Sequence, residues 1–197
     1  MGGGRTARLF AILAAFTAGL VLCLGVILFV GGRGSAVQAS SVGGPFNLID
    51  QNGQPFSDKD LKGKSFLVFF GFTHCPDVCP TTLFEISEIL RNLGPEADHT
   101  TALFISVDPE RDTPAAMKDY LSSFDPHLRG LTGSAAAVEA VAKAYRVYYR
   151  KVPLEGGDYT MDHTAIVYLM DKEGRFVAPV NMRRTVSELA ADLRKYL

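Results

Sequence analysis

One short apolar segment constrains the fold of this chain more than any other feature. Residues 65–72 read SFLVFFGF, eight residues without a charge. A run of this length is too short for a helix, and its unbroken apolar character is typical of a strand buried on both faces. Because such a strand needs covering structure on each side, the segment predicts a layered α/β domain.

Segments of strand and helix character alternate along the rest of the chain. Apolar residues at helical spacing, followed by a Gly-Pro stop, predict a helix after the buried strand: Leu83, Ile86, Leu90, Leu93, Gly94 and Pro95. The other predicted elements are a hairpin at 46–56, a second buried strand at 101–107, a helix opened by Thr113 and Pro114, helices at 135–145 and 186–197, and a strand pair at 164–171 and 175–179. This order predicts one α/β domain with an N-terminal hairpin.

The N-terminal part has a different character. Residues 9–30 contain no charge, and as a helix these 22 residues would cross the hydrocarbon layer of a bilayer, so we expect one transmembrane helix there. Arg5 and Arg8 precede the run and Arg33 follows it. This asymmetry favours a cytoplasmic N-terminus at residues 1–8 and an exported remainder.

Composition also sets the boundaries of the folded domain. Residues 31–44 are rich in Gly, Ser and Ala, which predicts a flexible linker, and the domain is expected at residues 45–197. The small residues at 37–39 suit cleavage of a signal peptide, which is the alternative interpretation. An uncleaved anchor is favoured because the apolar run exceeds the usual length of a signal-peptide core.

Charge and cysteine content narrow the possible functions. The 20 basic and 21 acidic residues give a net charge of −1, which argues against nucleic acid as a partner. Of the three cysteines, Cys23 lies in the N-terminal apolar run, where it acts as a small apolar residue. Any thiol chemistry is therefore expected from Cys75 and Cys79.

Cys75 and Cys79 lie where the buried strand ends and a helix begins, which is where ligands gather in open α/β sheets. Pro76 and Pro80 are expected to keep both cysteines out of regular helix, with Pro80 as the first helical residue. Cys79 is then expected at the helix N-terminus, where backbone N–H groups stabilise a thiolate. The spacing leaves a structural disulfide, a redox pair and a metal site equally open.

Four histidines are candidates to complete a metal site. His99 and His127 follow acidic or turn residues and are expected to be solvated loop residues, and the pattern does not predict where His74 points. His163 lies at the entrance to the strand predicted at 165–170, after a glycine-containing loop, so its imidazole could reach a neighbouring loop.

The segment 108–114 (DPERDTP) follows the second buried strand. It is expected at the same edge of the sheet as the cysteines, because the carboxyl ends of parallel strands share one edge. Asp112 or Thr113 is expected to cap the next helix, and Arg111 to pair with a nearby carboxylate. Contact with a partner protein is the weaker interpretation of this segment.

Three separated motifs, in order, resemble the Sco/SenC family of copper chaperones that help assemble cytochrome c oxidase. They are FFGFTHCPDVCP at 69–80, VDPERDTP at 107–114 and DHT at 162–164. The resemblance implies a thioredoxin-like domain of three α/β/α layers, and copper ligands at Cys75, Cys79 and His163. It further implies a metallochaperone that delivers copper to the binuclear copper site of cytochrome c oxidase subunit II.

The resemblance also implies a location and a metal. The domain is expected to face the periplasm from the inner membrane, or to belong to the mitochondrial inner membrane in a eukaryote, with other periplasmic copper chaperones or thiol reductants as further partners. Two thiolates and an imidazole suit Cu(I), and the nitrogen helps to accommodate Cu(II). Zinc is the second choice, because a fourth ligand requires His74 or Asp77 to turn inward.

Two enzymatic interpretations stand beside the chaperone. In the first, Cys75 and Cys79 form a thiol-disulfide reductase pair that acts on the cysteines of subunit II, alone or together with copper transfer. The second, a peroxidase, is disfavoured because no arginine is placed beside an activated thiol by the sequence pattern.

Overall fold

The computed structural model describes residues 14–26 and 42–197, in two units divided after Ser40. Residues 14–26 form helix α1, whose side chains are exposed. Within the described residues, no helix combines the length and the apolar character that a membrane crossing demands. The transmembrane helix expected at 9–30 extends past α1 at both ends. Those ends, the expected N-terminus at 1–8 and most of the expected linker lie outside the described residues.

The second unit contains four helices and nine strands. In chain order these are β1 (Asn47–Asp50), β2 (Pro55–Ser57), β3 (Ser65–Gly71), α2 (Val78–Leu93), β4 (Thr100–Ser106), α3 (Pro114–Leu121), β5 (Leu128–Thr132), α4 (Ala135–Ala144), β6 (Tyr149–Pro153), β7 (Tyr159–His163), β8 (Val167–Met170), β9 (Phe176–Val180) and α5 (Val186–Arg194). Short 3-10 turns occupy Asp58–Leu61 and Gly94–His99. The hairpin predicted at 46–56 is confirmed as β1 and β2.

Seven of the strands form one sheet in the order β2-β1-β5-β4-β3-β8-β9, and β6 and β7 pair with each other in a second, two-stranded sheet. Strands β3, β4 and β5 run parallel in the middle of the sheet. Strand β1 joins β5 on one side and β8 joins β3 on the other, both antiparallel. The parallel strands therefore end together at one edge of the sheet. The loop that contains Cys75, which we call the cysteine loop, leaves β3 at this edge.

Helices cover both faces of this sheet. On one face, Leu67 of β3 lines a cavity together with residues of α2 and α5, and Tyr120 of α3 packs against Phe104 of β4. On the other face, Tyr145, directly after α4, packs against Phe70 of β3. The layered α/β arrangement is confirmed.

The buried strand and its following helix are confirmed closely. Every residue of β3 is buried, as expected for a strand covered on both sides. Helix α2 buries all four predicted apolar residues and ends at Gly94, whose φ of 60° is one that glycine adopts at little cost.

Strand β5 is not among the predicted elements. It reads LRGLT, five residues that contain a charge and a glycine and so lack the apolar run of its neighbours. A Cβ on Gly130 would lie 2.6 Å from Leu121 Cδ1 and 2.9 Å from Met117 Cε, so helix α3 packs closely only because this residue is glycine. Gly130, which weakens the strand pattern in the sequence, is thus required for the close packing of helix α3.

The position predicted for His163 is wrong. His163 is the last residue of β7 and pairs with Tyr149 in the β6–β7 ribbon, whereas β8 begins at Val167. The ribbon escapes prediction because β6 (YRKVP) is polar and mostly exposed. Pairing of two strands outside the main sheet depends on the partner strand rather than on burial of an apolar face.

Candidate metal centre

The two cysteines lie on either side of the start of a helix. Cys75 lies in the loop between β3 and α2 and is partly buried, and Cys79 is the second residue of α2 and is 0% exposed. The expectation that Cys79 stays outside regular helix is therefore wrong. Helix α2 begins at Val78 because Pro80 lies in its first turn, where a missing N–H breaks no intrahelical bond.

The helix N-terminus stabilises a different sulfur from the one predicted. The Cys79 backbone N–H donates a hydrogen bond to Cys75 Sγ over 3.3 Å. Burial raises the pKa of the Cys79 thiol, a backbone hydrogen bond at Phe72 opposes this, and the charges of Cys75 and Asp112 add to the rise. Both residues are free thiols in this structure.

Gly71, the last residue of β3, makes room for the buried sulfur. A Cβ at this position would lie 2.7 Å from Cys79 Sγ and 2.6 Å from the ring of Phe104. Carbon and sulfur atoms do not approach so closely, so any larger residue displaces the thiol or the ring. The sequence pattern contains no sign of this role, because it does not show which atoms face a glycine at the end of a strand.

The imidazole of His163 reaches the same sulfur. Its Nε2 lies 3.7 Å from Cys79 Sγ, and its ring packs edge-on against Phe72, with the ring centres 5.8 Å apart. Nδ1 lies 3.2 Å from the Thr164 carbonyl oxygen, which only accepts, so Nδ1 carries the proton and Nε2 presents its lone pair to the sulfur. Burial lowers the pKa of His163, against smaller opposing effects of Thr164 and Asp162, and so favours the neutral ring.

The three predicted site residues form a row of contacts. Cys75 accepts a hydrogen bond from the backbone of Cys79, and the Cys79 sulfur lies against His163. Among residues 14–26 and 42–197, no three His, Cys, Asp or Glu side chains are grouped tightly enough to hold a metal ion. The structure therefore brings the two cysteines and His163 together in one row.

The side chains named for a fourth ligand do not turn inward. His74 and Asp77 are both exposed. His74 Nδ1 lies 3.0 Å from the hydroxyl of Thr73, its neighbour in the chain. Four-ligand zinc binding therefore gains no support from the described side chains.

His99 is exposed as expected, but the prediction for His127 is wrong. His127 Nδ1 lies 2.7 Å from Asp125 Oδ1, and its Nε2 lies 3.1 Å from Asp98 Oδ1. The hydrogen bond to Asp98 is the main cause of the raised pKa of His127, and Asp125 adds to it. The ring is a partly buried ion-pair partner, because the two acidic residues converge on it from different loops.

The segment 108–114 is more closely tied to the cysteine loop than its sequence indicates. Thr113 caps α3, since its Oγ1 accepts a hydrogen bond from the Ala116 N–H over 3.2 Å. Asp112, which is 0% exposed, accepts hydrogen bonds from the Thr73 hydroxyl over 2.6 Å, the Thr73 N–H over 3.1 Å and the Ser106 hydroxyl over 2.6 Å. Asp112 therefore holds the start of the cysteine loop to the end of β4.

The same segment contacts the histidine ribbon. Arg111 Nε donates to Asp108 Oδ2 over 2.5 Å, which confirms the predicted pairing of Arg111 with a carboxylate. Tyr159 of β7 donates its hydroxyl proton to Asp108 Oδ1 over 2.9 Å, and Arg111 Nη1 donates to the Tyr159 carbonyl over 2.9 Å. Neither Tyr159 nor Asp112 is identified as a site-supporting residue by the sequence pattern.

Comparison with known proteins gives one family. A model of the SCO1/SenC family matches residues 34–197. The mouse mitochondrial SCO1 homolog is 42% identical over 159 residues, which cover 79% of this chain and 56% of the mouse protein. The chain spans about half the length of the curated relatives it matches.

Two solved structures of copper-bound relatives have the same fold. ScoI of Bradyrhizobium japonicum with copper bound is 66% identical with a TM-score of 0.78, over 80% of this chain and 100% of that one. Yeast Sco1 with copper bound is 40% identical with a TM-score of 0.73, over 79% of this chain and 88% of that one. These matches confirm the thioredoxin-like α/β fold. Since the family model covers most of the chain, this protein belongs to the SCO1/SenC family.

Proposed function

We propose that this protein is a copper metallochaperone that binds copper through Cys75, Cys79 and His163 and delivers it to the binuclear copper site of cytochrome c oxidase subunit II. The 3.7 Å contact between Cys79 Sγ and His163 Nε2 is the observation that carries the proposal, because it joins residues 84 positions apart. The Sco family is linked to cytochrome c oxidase assembly, and relatives have been solved with copper bound.

The donor set fits copper as a transferable cargo. Soft sulfur ligands favour Cu(I), and an imidazole nitrogen helps to accommodate Cu(II). Burial keeps His163 in the neutral form that binds a metal, and the Thr164 carbonyl fixes its tautomer. Three donors, one fewer than a closed structural site uses, suit a protein that must release its cargo to a partner.

The cysteines contribute in different ways. Cys75 is partly exposed, so it is the sulfur that an incoming or departing copper carrier meets first. Cys79 is buried with a raised thiol pKa, so it gives up its proton when copper binds. The Cys79 N–H that points to Cys75 Sγ stabilises negative charge on the outer sulfur.

A second function, thiol-disulfide exchange, is favoured by the same difference in exposure. A thiolate at Cys75 would attack a disulfide in subunit II and form a mixed disulfide, and Cys79 would then displace the target sulfur. The target disulfide is reduced to two thiols while Cys75 and Cys79 become a disulfide. The hydrogen bond from the helix N-terminus to Cys75 supports Cys75 as the attacking sulfur.

The proposed location is the inner membrane, with residues 9–30 as the anchor, 31–44 as the linker and 45–197 as the domain that faces the periplasm, or the mitochondrial inner membrane in a eukaryote. Helix α1, within the proposed anchor, exposes large apolar side chains such as Phe16 and Leu22. N-terminal sequencing of the membrane-extracted protein distinguishes an anchor from a signal peptide cleaved after Ala39.

The proposed function is tested by replacing the imidazole. We expect His163→Ala to lower copper retention against a competing chelator by about tenfold or more, since even residues that only orient a ligand contribute that much. Disulfide exchange with a small thiol is expected to stay intact, because both cysteines remain.

His99→Ala is the matched control, because His99 is exposed and distant in sequence from the cysteines. It is expected to leave copper retention unchanged. Equal retention by wild type and His163→Ala would contradict copper binding through His163.

A further inference from the structure

The ribbon that carries His163 is attached to the domain in an unusual way. Strands β6 and β7 lie outside the seven-stranded sheet. Within the described part of the chain, the hydrogen bonds that join residues 149–163 to other elements run to residues 108–111, apart from the contact between His163 and Cys79. The segment 108–111 therefore supplies the polar attachment of the ribbon that carries His163. We call this ribbon the histidine half of the site, and the loop and helix start with Cys75 and Cys79 the cysteine half.

Arg111 and Tyr159 form the centre of this attachment. The Arg111 guanidinium lies 3.7 Å from the centre of the Tyr159 ring, and it also donates to the Tyr159 carbonyl. Arg111 and Tyr159 both donate to the carboxylate of Asp108, whose side chain is 1% exposed. Cation–π contacts and charge-assisted hydrogen bonds are stronger away from water, so this cluster holds the ribbon more firmly than a surface ion pair does.

The attachment at Tyr159 bears on His163 through the strand itself. Side chains alternate along a strand, so Tyr159, Met161 and His163 share one face of β7. Met161 is buried on that face. Tyr159 is therefore held on the same face of β7 as His163, which lies about 13 Å further along the strand and contacts Phe72 and Cys79.

The other end of the same segment holds the cysteine half. Asp112 accepts two hydrogen bonds from Thr73, which precedes Cys75 by two residues. The Asp112 side chain is fully buried, so these bonds are shielded from water. Residues 108–112 therefore bond to the ribbon of His163 on one side and to the loop of Cys75 on the other.

We propose that the segment 108–112 is the positioning element that sets the spacing between His163 and the cysteines, with Arg111 and Tyr159 as positioning residues. Its contribution to copper retention rests on the proposed function. Its contribution to the spacing does not, because the contacts run between protein groups alone.

The test compares two arginines of the full chain. Arg111→Gln removes the contact to Tyr159, whereas Arg150→Gln removes the exposed pair between Arg150 and Asp162, which lies entirely within the ribbon. Hydrogen–deuterium exchange of the metal-free protein and copper retention against a chelator are measured for both. We expect Arg111→Gln to speed amide exchange in β6 and β7 and to lower copper retention by about 10- to 100-fold. Arg150→Gln is expected to change neither.

A double substitution shows whether Arg111 acts through the imidazole. If it does, Arg111→Gln lowers copper retention in wild type and has no further effect in the His163→Ala background. An equal loss in both backgrounds, or an equal loss from Arg150→Gln, overturns the proposal.

Tyr159→Phe keeps the proposal testable if Arg111→Gln fails to fold. It removes only the hydroxyl that donates to Asp108, and a loss of copper retention of about fivefold is expected, the worth of one hydrogen bond. If the wild-type protein binds no copper through His163, the proposed function fails. The positioning role of the segment 108–112 is then tested by amide exchange alone. Faster exchange confined to the ribbon then supports the positioning role, and unchanged exchange overturns it.

Discussion

The cysteine half and the histidine half of the site are attached to the domain by different means. Cys79 belongs to helix α2, and its sulfur packs against Gly71 at the end of a strand in the main sheet. His163 belongs to a two-stranded ribbon outside that sheet. The sulfur is therefore held by the core packing that stabilises the whole fold, whereas the imidazole is held by the contacts of its ribbon with residues 108–111 and by packing against Phe72.

This difference would suit the proposed function, in which the protein both holds and releases copper. A core-packed sulfur gives one half of the site its position, and the imidazole takes its position from a separate set of contacts. The predictions below test whether the two halves behave as differently as their attachments indicate.

The largest expected effect is that of pH on copper retention. Burial raises the pKa of the Cys79 thiol and lowers the pKa of His163, so between pH 8 and 6.5 the thiol is protonated and the imidazole neutral in the metal-free protein. Copper must displace the proton of the Cys79 thiol, so we expect copper retention to weaken as the pH falls, by about tenfold per pH unit for that proton.

The source of that pH dependence separates the two halves. The slope is expected to persist in His163→Ala, because it arises from the Cys79 thiol. Chelator competition at several pH values measures it. If the pH dependence of copper retention were lost in His163→Ala, the titrating group would belong to the histidine half of the site, which would contradict this prediction.

The next largest effect is the loss of stability expected when the space between Gly71 and the Cys79 sulfur is filled. Gly71→Ala places a Cβ 2.7 Å from Cys79 Sγ, and overpacking of this kind is expected to cost about 1–3 kcal/mol in the free energy of unfolding. Gly44→Ala is the control, because its Cβ would meet Ala144 Cβ at an ordinary 3.4 Å. Urea denaturation of both variants is the measurement, and equal stabilities would mean that Gly71 is not needed for packing.

The smallest effect concerns His127, whose pKa is raised, whereas the pKa of His163 is lowered. Asp98 and Asp125 raise the pKa of His127 above its ordinary value of about 6.5. The stabilisation is therefore complete below pH 6.5 and is lost as the pH rises through the folded-state pKa. His127→Gln is expected to destabilise the fold by less than about 1 kcal/mol, and more at pH 5.5 than at pH 8. A loss of stability that is independent of pH would contradict the ion-pair role.

The cysteine half could be predicted from sequence more fully than the histidine half. An unbroken apolar strand, a helix with a clear apolar face and two cysteines between them are local patterns, and the structure confirms the strand–loop–helix arrangement. The error concerned the first turn of α2, where Pro80 is tolerated inside the helix. Local preferences near a proline do not fix the helix start to within two residues.

The histidine half depends on contacts between distant residues. The residue pattern alone leaves His163 as one of several histidines, and the family resemblance singles it out. Tyr159 and Asp112 carry no local signal, since a tyrosine in a polar strand and an aspartate before a helix have ordinary explanations. Their roles emerge only when the segment 108–112 is seen to lie between the cysteine loop and the ribbon.

The most direct test of copper binding by both halves is X-ray absorption spectroscopy of the copper-loaded full chain. We predict that Cu(I) is surrounded by two sulfur atoms and one imidazole nitrogen, and that the nitrogen contribution is lost in His163→Ala and kept in His99→Ala. A copper spectrum that lacks an imidazole contribution, or one that is unchanged by His163→Ala, would contradict the account.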